Sequence, residues 1–438
     1  TLVKLQIAGY NTLVKYTVKK LANGLRVLTV PMASSESATV TVWVKTGSRN
    51  EESRINGISH FLEHMVFKGG AKRPTAKEIS EAVDGIGGEF NAATNKDWTN
   101  FYIKSAIGNI ETAFDVLSDM VLSPVLSKEE IEREKGTIVQ ELNMYEDTPM
   151  MKIGDVFENL MFDGNSLARD VGGVAKTVRN ALRNDFVRYR ETYYYPENML
   201  LVVSGGVTEK NALKLAKKYF GNFKSKQKTS SGGKAFKVTQ KSPQLKLKSK
   251  KNEQAHFILG FIGDGRNYEG KFAQAILSSI LGGGMSSRLF IEVRERRGLA
   301  YSVKNFLERY QEVGYIGTYA GVDPKKVEEA ISIVLDQCYG IASGKYPILE
   351  KELTKAKEYL KGHLALGLED TSVVGEFFAS QELFLKKVLT PEEVYKKLDI
   401  VTIKDVVAEA KRLFTPSRLN LAIIGPFTND SKFKKLLK

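Results

Sequence analysis

The chain has 438 residues, more than one typical hydrophobic core can organise, so two or three domains are expected. Its single cysteine, Cys338, rules out an intrachain disulfide and a thiolate-rich metal site, and no stretch approaches the roughly 20 apolar residues needed to span a bilayer. The net charge of +14 does not mark a nucleic-acid binder, because ten lysines and no acid fall within residues 223–251, with few aromatics among them.

Residues 25–32 and 39–47 read as strands, and a helix with unusual chemistry follows them. Ile58, Phe61, Leu62, Met65 and Val66 recur at helical spacing and form one apolar stripe. At about 100° per residue, His60, Glu63 and His64 fall on the opposite face, using two of only four histidines. Histidines four residues apart are stacked neighbours, so both can reach one tetrahedral Zn²⁺. Glu63 lies between them and is suited to act as the base that deprotonates a metal-bound water. The competing reading is a surface helix that happens to carry two histidines.

Residues 87–103 read as two strand segments around a polar turn at Asn95-Lys96-Asp97, and 109–123 as a helix. Residues 127–147 are a second helix, with Ser127 as N-cap and Glu129 and Glu130 in its first turn. A catalytic zinc site needs a third protein ligand, and without thiolates a carboxylate from another helix is the natural source. Glu134 and Glu141 are two turns apart on this helix and share a face beside the stripe of Ile131, Ile138 and Leu142, so both are candidates. Gly136 inside the same helix costs about 0.8–1 kcal/mol relative to Ala and has no explanation in the sequence.

Residues 195–205 and 415–425 align without a gap at an offset of 220, each preceded by a helical stretch with Asp185 or Asp405 at the same offset. This implies two homologous halves. Between them, 223–251 is an exposed lysine-rich linker ending in a polar strand. The expected organisation is residues 1–222, the linker 223–251, and 252–438. Strands come first and helices (109–123, 127–147, 208–219) after them, which argues for α+β layers. In the second half Gln274, Leu277 and Ser278 stand where the first has His60, Glu63 and His64, so that half has no metal site of its own. The glycines 282–284 lack the Lys-Ser/Thr of a phosphate loop, and Arg294 to Arg297 before Gly298 read as a basic helix end.

The pattern HxxEH, then Glu after 76 intervening residues, with a further Glu seven positions before that last one, is the inverzincin signature. Over nearly its whole length the chain resembles the pitrilysin and insulinase family, which includes mitochondrial processing peptidase, in its short two-domain or processing-peptidase-like branch. The resemblance implies that His60, His64 and Glu141 bind one Zn²⁺ per chain, that Glu63 is the general base and that Glu134 orients the site. It likens Asn91, Ala92 and Thr94 to the family's edge strand, which holds an extended peptide beside the metal by strand addition. It also likens Arg294 and Tyr301 to a catalytic Arg/Tyr pair that the second domain contributes to the substrate near the scissile bond. The implied fold is that of inverzincin peptidases and LuxS, each half an antiparallel sheet with helices packed on one side.

The expected activity is zinc-dependent endopeptidase hydrolysis of peptides or unfolded segments. The alternative is a non-catalytic or processing-peptidase-like subunit that binds peptides within a hetero-oligomer. The family encloses its chamber with four such units, so a homodimer or a heterodimer with a homologous subunit is expected, with neither nucleic acid nor a membrane span. The chain begins at Thr1 rather than Met, so a processed or trimmed start is the expectation. A cytoplasmic location is the expectation, with periplasm or an organelle open if a targeting peptide was removed.

Overall fold

The central strands are hydrophobic along their whole length, and this sets the layering. All seven residues of both Met199–Gly205 and Leu419–Gly425 are buried, so each sheet must be covered on both faces. The computed structural model describes residues 15–224 and 233–437. Residues 225–232 of the lysine-rich linker lie outside the described residues.

In the first half β1 (Thr17–Lys20), β2 (Arg26–Pro31), β3 (Ser37–Val44), β4 (Glu89–Thr94), β5 (Thr99–Ala106) and β6 (Met199–Gly205) assemble in the order β1-β2-β6-β3-β5-β4. In the second half β7 (Gln244–Ser249), β8 (Ala255–Asp264), β9 (Ala300–Arg309), β10 (Val313–Val322) and β11 (Leu419–Gly425) assemble as β7-β11-β8-β10-β9. Leaving out β1, the two orders correspond strand for strand. Each sheet has one parallel pair, β2 with β6 and β7 with β11, and is otherwise antiparallel. The offset of 220 holds in space: Met199–Gly205 matches Leu419–Gly425, and the helix Arg183–Tyr193 matches Ile403–Leu413. The α+β class with two homologous halves is thus the architecture of the chain.

One face of each sheet packs on helices of its own half. The opposite faces add a feature that patterning along the chain does not announce. The helix Pro149–Met161 leaves the first half and lays Ile153, Val156 and Phe157 on Ile258, Ile262, Ala422 and Ile424 of the second sheet. Reciprocally, the helix Thr371–Phe384 lays Val374, Phe378 and Ala379 on Leu28, Val30, Trp43, Leu200 and Val202 of the first. Each half therefore supplies the outer cover of the other. No helix among the described residues is long and apolar enough to cross a membrane.

Candidate metal centre

The helix Ile58–Val66 buries Ile58, Phe61, Leu62, Met65 and Val66, all 2% exposed or less, and so turns His60, Glu63 and His64 outward. Its entry requires glycine. Gly57 has φ of 97°, and a Cβ there would meet the backbone oxygen of Gly172 at 2.5 Å. The helix Lys128–Asp147 begins at Ser127, whose hydroxyl accepts from the Glu130 N–H, and carries Glu134 and Glu141 to the histidines.

Three ligand-type atoms converge. His60 Nε2 and His64 Nε2 are 3.3 Å apart, and the Glu141 carboxylate lies 3.6 Å from the first and 3.5 Å from the second. They are the group of His, Cys, Asp and Glu side chains among the described residues able to hold a metal ion. Tetrahedral zinc with ligands at about 2.0–2.1 Å requires ligand atoms about 3.4 Å apart, so the triangle has the size the ion demands. On its far side His64 Nδ1 meets Glu134 Oε1 at 2.9 Å, which aims the Nε2 lone pair into the triangle. Glu134 is 4% exposed and is itself held by Lys68 at 2.5 Å.

The electrostatics follow from burial and these contacts. Burial, then the neighbouring His64, pushes His60 down to about 4. Burial also acts against a charged His64, but its bonds to Glu134 and Glu141 outweigh it and carry the imidazole to about 9. The hydrogen bond from His64 holds the Glu141 carboxyl below its ordinary range. Burial raises Glu63, opposed by a short hydrogen bond that Thr94 Oγ1 donates to Glu63 Oε2.

A cavity of about 800 Å³ opens over the triangle, and Ala93 and Thr94 of β4 line it. Asn91 and Ala92 sit further back along β4 and do not line this cavity. β4 ends its sheet, so its outer side is unpaired within the chain. Arg294 and Tyr301 stack at 4.9 Å and line a second cavity, of about 640 Å³, which shares no lining residue with the first. Tyr301 is 81% exposed. The Arg/Tyr pair therefore exists as a pair but is not brought to the metal triangle within the chain.

Several residues of the site carry no clear sequence signal. Lys152 and Asp155, on the helix seated against the second sheet, form part of the cavity wall together with Glu146 and Asp170. Lys152 meets all three acids, at 3.1 Å (Asp155), 2.5 Å (Asp170) and 3.8 Å (Glu146). The i, i+3 spacing of Lys152 and Asp155 was readable, but Asp170 arrives from a loop. Glu51, buried before the ligand helix, was equally silent.

Comparisons with known proteins place the chain among peptidases of one family. A family model described as insulinase (peptidase family M16) matches residues 26–173, and one described as the peptidase M16 inactive domain matches residues 181–360. An uncharacterized zinc protease of Streptomyces coelicolor is 36% identical over 412 residues, covering 93% of this chain and 88% of the relative. The uncharacterized zinc protease YmxG of Bacillus subtilis is 34% identical over 407 residues, covering 93% and 97%. Among solved structures, a protease from Helicobacter pylori superposes with a TM-score of 0.88 at 24% identity, covering 94% of this chain and all of that one.

Proposed function

The chain belongs to the insulinase family of peptidases, peptidase family M16, and on that premise we propose that it is a zinc-dependent endopeptidase acting on peptides or unfolded polypeptide segments. The observation that carries the proposal is the triangle of His60, His64 and Glu141, with separations of 3.3, 3.5 and 3.6 Å. The donor set, two imidazoles and one carboxylate with a fourth position open to the cavity, suits one catalytic zinc per chain. Bound there, zinc supplies Lewis acidity and an ionisable water.

The chain's own residues do the rest. Glu134 fixes the tautomer and tilt of His64. Glu63, raised by burial and held by Thr94, takes the proton of the attacking water and returns it to the leaving amine. The free edge of β4 holds an extended substrate by strand addition, which requires a peptide backbone and so favours polypeptides over small esters. A purely peptide-binding subunit would have no need of three ligand atoms at metal-binding separations.

Because Arg294 and Tyr301 line a separate cavity, a second chain, identical or homologous, is the natural source of that pair for the metal cleft. The decisive experiment follows cleavage of an unstructured peptide of about 20–30 residues, long enough to add as a strand. Wild type is compared with Glu63→Gln after chelation and zinc restoration. Loss of at least about 100-fold in the mutant, with zinc content kept, is expected. Equal turnover removes Glu63 from the base role, and a wild type that binds zinc yet cleaves nothing favours the binding-subunit reading.

A further inference from the structure

The segment that leads from β3 into the ligand helix is tied down on two sides, and neither tie involves a metal ligand. On one side Glu51, 4% exposed, accepts from the backbone N–H of Gly57 at 2.7 Å and of Ser59 at 2.8 Å, and from Asn56 Nδ2 at 2.8 Å. Gly57 is the N-cap residue of the ligand helix and Ser59 lies in its first turn. The ligand helix, which begins at Ile58 two residues before His60, thus has N–H groups of its N-terminus bound by the buried Glu51 side chain, at the end where free N–H groups and the helix dipole attract an acceptor.

On the other side stands Arg49, two residues earlier and also 4% exposed. It donates to Asp97 at 2.8 Å and, through both terminal nitrogens, to Glu312 of the second half at 2.9 and 2.6 Å. Asp97 belongs to the β4–β5 turn, is fully buried, and also receives Arg266 and Gln311 of the second half. The two loops are zipped by their backbones as well: Ser48 N–H donates to Asn95 and Arg49 N–H to Lys96. A Cβ on Gly47 would stand 2.0 Å from the Asn95 oxygen, so the close approach depends on glycine. The β4–β5 turn directly follows Thr94, the residue bonded to Glu63.

We infer that Arg49 and Glu51 are positioning residues of the metal centre. Glu51 fixes the start of the ligand helix, and Arg49 locks the same segment to the β4–β5 turn and to Glu312, so that the second half holds the ligands of the first in register. The inference rests on the zinc reading above. It gives the second half, which carries none of the three ligand residues, a part in building the site. The physical requirement is strict: an arginine–carboxylate pair this buried stabilises only when its geometry is complete, and removing one partner leaves a buried charge unmatched.

The test uses the full chain and measures zinc affinity by competition with a chromophoric chelator, together with the visible spectrum of the Co²⁺-loaded protein. Glu51→Gln sets an amide NH₂ against a backbone N–H and is expected to weaken zinc binding about 10–100-fold, the range seen when groups behind metal ligands are lost. Glu312→Gln, in the second half and bonded to Arg49 and the Phe236 N–H but to no ligand, is expected to weaken it several-fold and to alter the Co²⁺ spectrum. It keeps the inference testable if Glu51→Gln does not fold. Variants that unfold at lower temperature but keep wild-type zinc affinity and Co²⁺ spectrum have lost only stability, and that result overturns the positioning role. A wild-type chain that takes up no zinc overturns the zinc reading and this inference together. One that binds zinc without cleaving peptides overturns only the peptidase reading, because affinity still decides the positioning role.

Discussion

At the scale of single residues, the chain accepts costs in several places where buried charge is arranged around its two halves. Glu308 on β9 is an example outside the metal centre. Burial, then the nearby Glu158, pushes its carboxyl up to about 7 from an ordinary 4.5. The native state therefore binds more protons than the unfolded chain between those values, and the penalty of ionising Glu308 is absent below pH 4.5 and complete above about 7. Glu308→Gln is expected to stabilise the protein at pH 8 by up to ~3 kcal/mol and to have little effect near pH 5. Urea unfolding at the two pH values checks the sign: equal effects at both would mean the carboxyl is not perturbed. The histidines tell the other side of the story. Their identity and spacing announced a metal site, but their opposite protonation preferences come with folding: burial and the neighbouring His64 lower His60, while Glu134 and Glu141, brought beside it from another helix, raise His64.

At the scale of elements, the helix Lys128–Asp147 was legible from its cap and periodicity, and the hairpin 89–106 from its alternation around a polar turn. Gly136 remained unexplained in the sequence, and packing within the chain gives it no reason either. It is exposed and a Cβ there would meet nothing within 4 Å, so packing does not demand glycine. Gly136→Ala is expected to raise stability by about 0.8–1 kcal/mol with zinc content unchanged, as read by thermal unfolding and metal analysis. Lowered stability would show that the open space beside Gly136 does not decide the cost of a side chain there. The edge strand was found as a strand, but which of its residues line the cavity was not, since the cavity lies at its C-terminal end and takes in the neighbours Ala93 and Thr94, a position that only the packing of the ligand helix against the sheet decides.

At the scale of the whole molecule, the two halves are not separable units placed side by side. Phe378 is fully buried and belongs to the second half in sequence, yet it covers the first sheet beside Trp43 and Leu200. Phe378→Ala is expected to cost about 3–5 kcal/mol. The loss should be reported by tryptophan fluorescence, because both tryptophans, Trp43 and Trp98, lie in the first half. A fluorescence midpoint equal to wild type would mean the exchanged helix is dispensable. The separate cavities give a second expectation at this scale. If Arg294 and Tyr301 serve the metal cleft of a partner chain, mixing and reassembling Glu63→Gln with Tyr301→Phe should restore peptidase activity that neither has alone. Absence of complementation in mixed oligomers would place the pair's action within one chain.

By itself the sequence determined what depends on local spacing: the ligand helix with its two histidines, the candidate carboxylates two turns apart, the strand hairpin, and the 220-residue repeat that carries the same fold twice. These are properties of neighbours along the chain, where helical and strand periods translate directly into faces. Tertiary structure alone decided that the two nitrogens and the Glu141 carboxylate meet at metal-binding separations. It also decided that Glu312 grips Arg49 across 263 residues, and that each half is roofed by a helix of the other. Those contacts join segments far apart in sequence, each of which reads as an ordinary charged loop or amphipathic helix until burial gives it a partner.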